Sequence, residues 1–322
     1  MTHAQSAQLK ELVRYGILAP SSHNTQCWPF HLEEQAISIL PDLSRRCPVV
    51  DPDGHHLYVS LGCAAENILQ AAKAQGLSGQ VTFDDMSNGA VRISFTPCEV
   101  EATPLFEAIA QRQCSRTEYD GQPLTPEELA LLTAAGTGAG VRVVMLTQPD
   151  LMKTVLDYVV KGNTAQINNP AFVKELKSWI RFNNSEAEQK GDGLSVSTSG
   201  NPSLPRWLGN LIFPLIFKAQ PENEKYARQI RSSAGIAVFV SEHDDRAHWI
   251  EVGRCYERFA LQSTALGIRN ALLNQPVEEA GLRPNFAKVL GLETGRPDLV
   301  VRFGRGPKMP GSLRRSPEAV LV

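Results

Sequence analysis

Apolar residues recur at helical spacing near the start of the chain, at Leu9, Leu12, Val13 and Ile17, which predicts a helix over 6–18. It runs into Ala19-Pro20, where the proline ring forbids continuation. Segments 28–32 and 36–40 read as a strand and its hairpin partner. A strong helix is predicted over 57–75, closed by Gly76 in the manner of a glycine just past a helix end. Two short strands follow at 81–83 and 91–95. Beyond residue 100 the same order returns. A short helix at 104–111 precedes one over 126–135, whose start at Thr125-Pro126-Glu127-Glu128 has the residues of a capping box. A strand at 141–146 and helices at 150–161 and 170–182 come next. Segment 183–203 is polar, rich in Gly, Ser and Asn, and without periodicity, which predicts a long functional or disordered loop. A buried strand at 236–240, a helix over 246–266 closed by Gly267, a helix over 277–290 and a strand at 299–303 lead to a basic, proline-bearing tail.

Two of these stretches align without gaps. Leu61-Gly62-Cys63-Ala64-Ala65-Glu66 through Gly76-Leu77 matches Val252-Gly253-Arg254-Cys255-Tyr256-Glu257 through Gly267-Ile268. Each has an early glycine, a glutamate one turn later and a closing glycine. The match predicts two copies of one α+β unit packed as an internal pseudo-dimer.

Bulk properties narrow the function classes. The 322 residues are 42% hydrophobic and 20% charged, with a formal net charge of −2. Nothing there favours nucleic acid or an anionic membrane as a main partner. No run approaches the ~20 apolar residues of a membrane span. The start, Met1-Thr2-His3-Ala4-Gln5-Ser6, lacks the features of a signal peptide, and the six cysteines are scattered without a CxxC pair. A cytoplasmic location is expected.

Three constellations carry candidate chemistry. Ala19-Pro20-Ser21-Ser22-His23-Asn24-Thr25-Gln26-Cys27-Trp28 concentrates hydroxyls, an imidazole and amides between a helix and a strand. Such groups match an edge of alternating donors and acceptors, although an ordinary polar turn has the same composition. Arg112-Gln113-Cys114-Ser115-Arg116-Thr117 sets two arginines four apart, suited to an anion or to a solvated basic edge. Ser312-Leu313-Arg314-Arg315-Ser316 repeats that choice near the C-terminus. The run Gly136-Thr137-Gly138-Ala139-Gly140 follows a helix and precedes a strand, the reverse of a nucleotide loop, and reads as a turn. Asp51-Pro52-Asp53-Gly54-His55-His56 lacks metal-ligand spacing and reads as a solvated loop or helix cap. No metal site and no catalytic side chain is assigned.

In combination, the Pro-Ser-Ser-x-Asn-x-Gln loop before Trp28, the Arg-x-x-x-Arg segment, Gly62-Cys63-Ala64-Ala65-Glu66-Asn67 and the late Arg-Arg pair resemble the nitroreductase family of FMN enzymes. The order of motifs is similar to the Acg-like branch, in which two nitroreductase-like halves share one chain. The resemblance implies an α+β nitroreductase-like fold with a mainly antiparallel sheet flanked by helices in each half. The halves would be 1–100 and 101–322, the second with a lid-like insertion about 160–230 and a C-terminal arm. One FMN would lie between them. Pro20, Ser21, Ser22, Asn24 and Gln26 would contact ring and ribityl. Arg112 would bind phosphate, with Arg314 and Arg315 completing that site, and Arg116 would approach the N1 edge of the ring. Asn274 and Gln275 would lie near N5.

This chain departs from the family pattern at Gln113 and Cys114, where a basic residue and a hydroxyl are usual, and at Cys27, where proline is common. Each half lacks one of the two flavin-binding segments, so parts for a single site are present. The implied activity is NAD(P)H-dependent reduction of a small aromatic acceptor, a nitroaromatic or quinone, with further association of pseudo-dimers left open. Two other readings remain: an FMN storage or sequestration protein, or a scaffold without cofactor, whose phosphate arginines would be ion-paired internally.

Overall fold

The computed structural model describes residues 3–85, 88–199 and 202–322. Helix α1 (His3–Gly16) turns Leu9, Leu12 and Val13 into the core. A loop with one 3-10 turn at Ser22–Asn24 leads to β1 (Phe30–Leu32), which pairs with β2 (Ala36–Ile39). Helix α2 (His55–Lys73) then crosses to β3 (Leu77–Phe83) and β4 (Val91–Pro97). The four strands form an antiparallel sheet in the order β1-β2-β4-β3.

Past α3 (Pro104–Ala108), helix α4 (Pro126–Ala135) begins with the expected capping box. Glu128 N–H donates to Thr125 Oγ1 at 3.2 Å, and Thr125 N–H donates to the Glu128 carboxylate at 2.9 Å. Strand β5 (Val141–Leu146) is followed by an insertion of α5 (Pro149–Asn168), α6 (Pro170–Trp179), β6 (Ile180–Arg181), α7 (Asn184–Lys190), β7 (Leu194–Ser195), α8 (Arg206–Ile216) and α9 (Ala219–Arg231). The chain then forms β8 (Gly235–Ser241), α10 (Arg246–Ala265), β9 (Arg269–Leu272), α11 (Gln275–Glu278), α12 (Arg283–Val289) and β10 (Arg296–Gly304). The second antiparallel sheet runs β5-β8-β10-β9. Matching these strands in chain order to β1, β2, β4 and β3 gives the same sheet order, with α10 in the place of α2. The class is α+β, as expected.

Several boundaries differ from the sequence expectations. Segment 183–203 is not a structureless loop: Asn183 caps α7, and β7 pairs in parallel with β6. Gly200 and Asn201 of that segment lie outside the described residues. The helix expected over 170–182 stops at Trp179, because Ile180 and Arg181 enter this pairing. The one expected over 277–290 is two short helices, α11 and α12, separated around Gly281. Helices α8 and α9 were not foreseen. Among the described residues no helix is long and apolar enough to cross a membrane.

One apolar core runs through both sheets and the helices between them. At its centre α2 and α10 approach to backbone contact. A Cβ on Gly62 would lie 2.0 Å from the Ile250 carbonyl oxygen, and one on Gly253 would lie 2.0 Å from that of Val59. Around this contact Glu66 is buried against Arg258, with Nη1 to Oε2 at 2.9 Å, and Arg254 approaches at 3.3 Å. Substituting Gly253→Ala is expected to lower stability by about 3 kcal/mol or more, since the added methyl meets backbone that must shift. Gly281→Ala, where a Cβ meets nothing within 4 Å, should change stability by no more than about 0.5 kcal/mol. Urea unfolding midpoints check both; equal losses would refute the close-contact argument.

Candidate functional site

The loop after α1 is held in an unusual backbone conformation. His23, Asn24 and Gln26 have positive φ angles of 50°, 54° and 54°. Such conformations are uncommon for residues with a Cβ and persist when surrounding bonds over-determine them. Those bonds are present. Gln26 N–H donates to Ser21 Oγ at 2.9 Å, and Asn24 Nδ2 donates to the carbonyls of Gly193 and Leu313, each at 3.1 Å. Gln26 Nε2 reaches the Gly191 carbonyl at 2.8 Å, and Arg315 N–H donates to Gln26 Oε1 at 2.8 Å. Arg314 donates to Asn24 Oδ1 at 3.1 Å and to the carbonyls of Leu18 and Ala19 at 3.0 and 3.2 Å. The C-terminal arm continues alongside β1, where Phe30 N–H donates to Val320 O and Val322 N–H to Phe30 O.

The Arg112–Thr117 segment runs beside β9, with Ser115 N–H donating to Asn270 O at 2.9 Å. Buried Arg302 donates to the carbonyls on either side of Arg116: Ser115 at 3.1 Å and Thr117 at 2.8 Å. The Arg302 guanidinium stacks 4.1 Å from the Tyr119 ring centroid. Gln229 Nε2 donates to the Arg116 carbonyl at 2.7 Å. With its backbone fixed from three sides, Arg116 projects a guanidinium that has no hydrogen-bond or ion-pair partner among the described residues.

That guanidinium borders a cavity of about 250 Å³. One face of α2 supplies His56, Val59, Ser60 and Cys63, and the strained loop supplies Pro20, Ser21, Ser22 and His23. Asn274 and Gln275 enter from the segment after β9, with Glu278 at the end of α11. The insertion contributes Phe172, Leu176, Leu194, Phe217 and Tyr226. Asn274 is positioned by Val300 N–H, which donates to its Oδ1 at 3.0 Å. His23 Nε2 and Gln275 Oε1 are buried without a partner. Buried polar atoms are normally satisfied, so such exceptions at a cavity are candidate ligand contacts.

Of the residues proposed from sequence, Pro20, Ser21, Ser22, Arg116, Asn274 and Gln275 converge on this cavity. The others stand elsewhere. Asn24, Gln26, Arg314 and Arg315 tie the loop to the C-terminal arm. Cys114 lies 3.7 Å from the hydroxyl of Tyr256, itself a lining residue. Arg112 is buried with Nε 3.0 Å from Glu257 Oε1, and its Nη2 donates to Leu18 O at 3.0 Å. Sequence reading counted His23 in the loop constellation but gave no site role to it or to His56, Tyr226 and Glu278. For His56 the signal was visible but read as a solvated loop or helix cap; the structure has the cap and buries Asp51, His55 and His56. The cause is Asp51, whose carboxylate accepts from the N–H groups of His56 and Leu57 and starts α2 inside the protein.

Burial governs the charges here. Desolvation, reinforced by Arg116 and His56, lowers His23 to about 4 and keeps its imidazole neutral. Desolvation and Glu222 raise Tyr226 to about 12. Glu257 is pushed up to about 7 by desolvation, against the pull of Arg112. Asp298, buried beside His55 and Arg296, also rises to about 7, and Asp51 to about 6, both through desolvation. Each group binds a proton in the folded chain at pH values where the unfolded chain, near 4.5 for glutamate and 3.8 for aspartate, has released it. These carboxyls therefore contribute a fall in stability as pH rises from about 4.5 to 7, opposed over the same range by the buried neutral histidines His23, His55 and His56. Glu257→Gln should make that fall shallower, measured by urea unfolding at a series of pH values; an unchanged slope would refute the assignment.

No family model matches the chain. It is 26% identical over 315 residues, 95% of its length and 88% of the relative's, to a Mycobacterium tuberculosis protein named "Putative NAD(P)H nitroreductase Rv3131". It is 23% identical over 312 residues, 94% of its length and 90% of the relative's, to "Putative NAD(P)H nitroreductase acg" from the same organism. The chain is similar, nearly end to end, to the Acg-like nitroreductases. Among solved structures, the FMN-dependent nitroreductase NfnB of Mycobacterium smegmatis in complex with NADPH aligns with 63% of this chain and 87% of its own, at 12% identity and a TM-score of 0.42.

Proposed function

We propose that this chain is an FMN-dependent NAD(P)H oxidoreductase of the nitroreductase type, with one flavin ring held in the cavity between the 20–26 loop, Arg116 and Asn274-Gln275. The observation that carries the reading is the unpaired Arg116 guanidinium facing a cavity with unsatisfied polar atoms on His23 and Gln275. An isoalloxazine ring offers donors and acceptors along one edge and apolar faces. Those needs match the Ser21, Ser22, Asn274 and Gln275 side chains and the walls formed by Val59, Leu272 and Leu299. When bound, the flavin would supply two-electron redox chemistry. Arg116 would stabilise negative charge on the reduced ring in a site where its charge is not spent on a protein partner. The full-length likeness to relatives named as NAD(P)H nitroreductases supports NAD(P)H as the reductant. Nitroaromatic or quinone-like molecules are the proposed acceptors, and the six free cysteines fit a reducing, cytoplasmic setting.

A single site per chain follows from the unequal halves. Where the first half has its strained loop, the second has the turn at Gly138, whose Cβ would lie 2.3 Å from Glu251 and 2.6 Å from Cys255. That position has no space for a ring. At about 250 Å³ the cavity falls just below the ~300–1,000 Å³ usual for ligand pockets, so it suits the ring end of the cofactor. A phosphate reaching Arg112 would have to meet Glu257 protonated or displace it.

Two observations favour the other readings. Leu194 and Phe217 of the insertion face the cavity, which favours sequestration by excluding nicotinamide. The Arg112–Glu257 pair is what a cofactor-free scaffold would contain. One experiment separates all three: reconstitute the protein with FMN, record the visible spectrum, then add NADH or NADPH anaerobically. Bound flavin that bleaches is the expected result. Bound flavin that stays oxidised means sequestration, and no bound flavin means the scaffold. Arg116→Ala should weaken FMN binding about 10- to 100-fold, the equivalent of one charged hydrogen bond of about 1.5–3 kcal/mol. Fluorescence quenching titration measures it, and unchanged affinity would remove Arg116 from the site.

A further inference from the structure

The cavity contains two acid–base groups to which the flavin reading gives no task. His56 on α2 and Glu278 at the end of α11 both line it, with Nε2 3.5 Å from Oε1. The second carboxyl oxygen of Glu278 accepts from Gln166 Nε2 on α5 at 2.7 Å, which fixes the carboxyl and leaves Oε1 to the imidazole. The His56 backbone is held by its N–H, which donates to Asp51 Oδ1 at 3.0 Å, and its ring packs 4.6 Å from that of His55. The His56 side chain is 7% exposed and that of Glu278 15%.

We propose that His56 and Glu278 form a proton-donating pair for acceptors whose two-electron reduction places negative charge on oxygen, quinones above all. The proposal rests on the flavin reading of the same cavity. A quinone that takes two electrons and one proton together, as hydride originating from NAD(P)H, would become a hydroquinone monoanion; bound flavin would supply the transfer chemistry. The pair supplies the second proton: the O–H bond of the product forms as the O–H bond of Glu278 breaks. The carboxylate left behind is reprotonated from water on its exposed side. Burial favours the uncharged form of both groups. Desolvation raises Glu278, against the pull of His56 and the Gln166 hydrogen bond, and desolvation lowers His56. Facing His56 are His23, His55, Asp51, Asp53, Arg283 and Arg296; Glu278 faces Asp51 and Glu279. The carboxylates around Glu278 work with burial to raise its affinity for a proton.

The test uses FMN-reconstituted protein, reduced anaerobically and mixed by stopped flow with p-benzoquinone or with ferricyanide, which takes an electron and no proton. In Glu278→Gln and His56→Gln the ratio of quinone rate to ferricyanide rate should fall about 100-fold or more, the usual weight of a positioned general acid. In the wild type the quinone rate should decline with rising pH as Glu278 loses its proton, and Glu278→Gln should abolish that decline. Flavin-free protein gives an independent readout. The His56 imidazole, followed by NMR, should titrate at lower pH in Glu278→Gln, because the fraction of Glu278 that is ionised favours the charged imidazole and the amide does not. Equal slowing toward both acceptors, or an unmoved His56 titration, overturns the pair. Wild-type protein that takes up no flavin overturns the reading of the site itself. Flavin uptake with an unchanged rate ratio in both variants overturns the proton pair alone.

Discussion

Helices α2 and α10 touch backbone to backbone at Gly62 and Gly253, and the placement of almost everything else follows from that approach. Apolar side chains between two helices would hold them ~8–10 Å apart. Without a Cβ at these two positions, each helix presses on the other's carbonyls, and Cys63 donates its thiol hydrogen to Gly253 O at 3.2 Å. The same contact sets the floor of the cavity. His56, Val59, Ser60 and Cys63 lie on one face of α2, and Tyr256 stands on α10 beside them. A displacement of this pair would alter the core and the site together.

Charge buried near the contact is arranged so that most of it has a counterpart. Glu66 meets Arg254 and Arg258, Glu257 meets Arg112, and Arg302 is surrounded by carbonyl oxygens. Burying an ion in an apolar interior is costly unless it is paired or hydrogen-bonded. Arg116 stands out against this background, partly exposed at the cavity and without a side-chain partner among the described residues. The surrounding structure spends Arg302, Gln229 and the edge of β9 on fixing the backbone that presents it. Rigid support of a free cation is the pattern expected of a residue whose partner arrives from outside.

The two halves share a strand order but have been put to different uses. The first ends α1 in a strained loop bordering the cavity; the second ends α4 in a tight glycine turn packed on α10. The second half also carries the helical insertion between β5 and β8, which walls the cavity, and the C-terminal arm that returns to β1. Exchange of segments between halves explains why the loop can hold three left-handed residues: its hydrogen bonds come from chain more than 160 residues away.

The sequence by itself determined the elements whose signals are local. Proline at 20, glycine at 76 and 267, the capping box at Thr125 and the alternation of short strands set the α+β order, because capping and backbone restriction act within a few residues. The matched glycine–glutamate stretches marked the two central helices, and six of the twelve proposed site residues reached the cavity. Tertiary structure decided the rest. It alone showed that Asn24, Gln26, Arg314 and Arg315 hold the loop in place, that Arg112 is paired with Glu257, and that Asp51, His55 and His56 are buried. It alone divided 183–203 between a helix and a strand pairing. These outcomes depend on which distant groups meet, and hence on desolvation and charge pairing across the fold, which spacing along the chain does not encode.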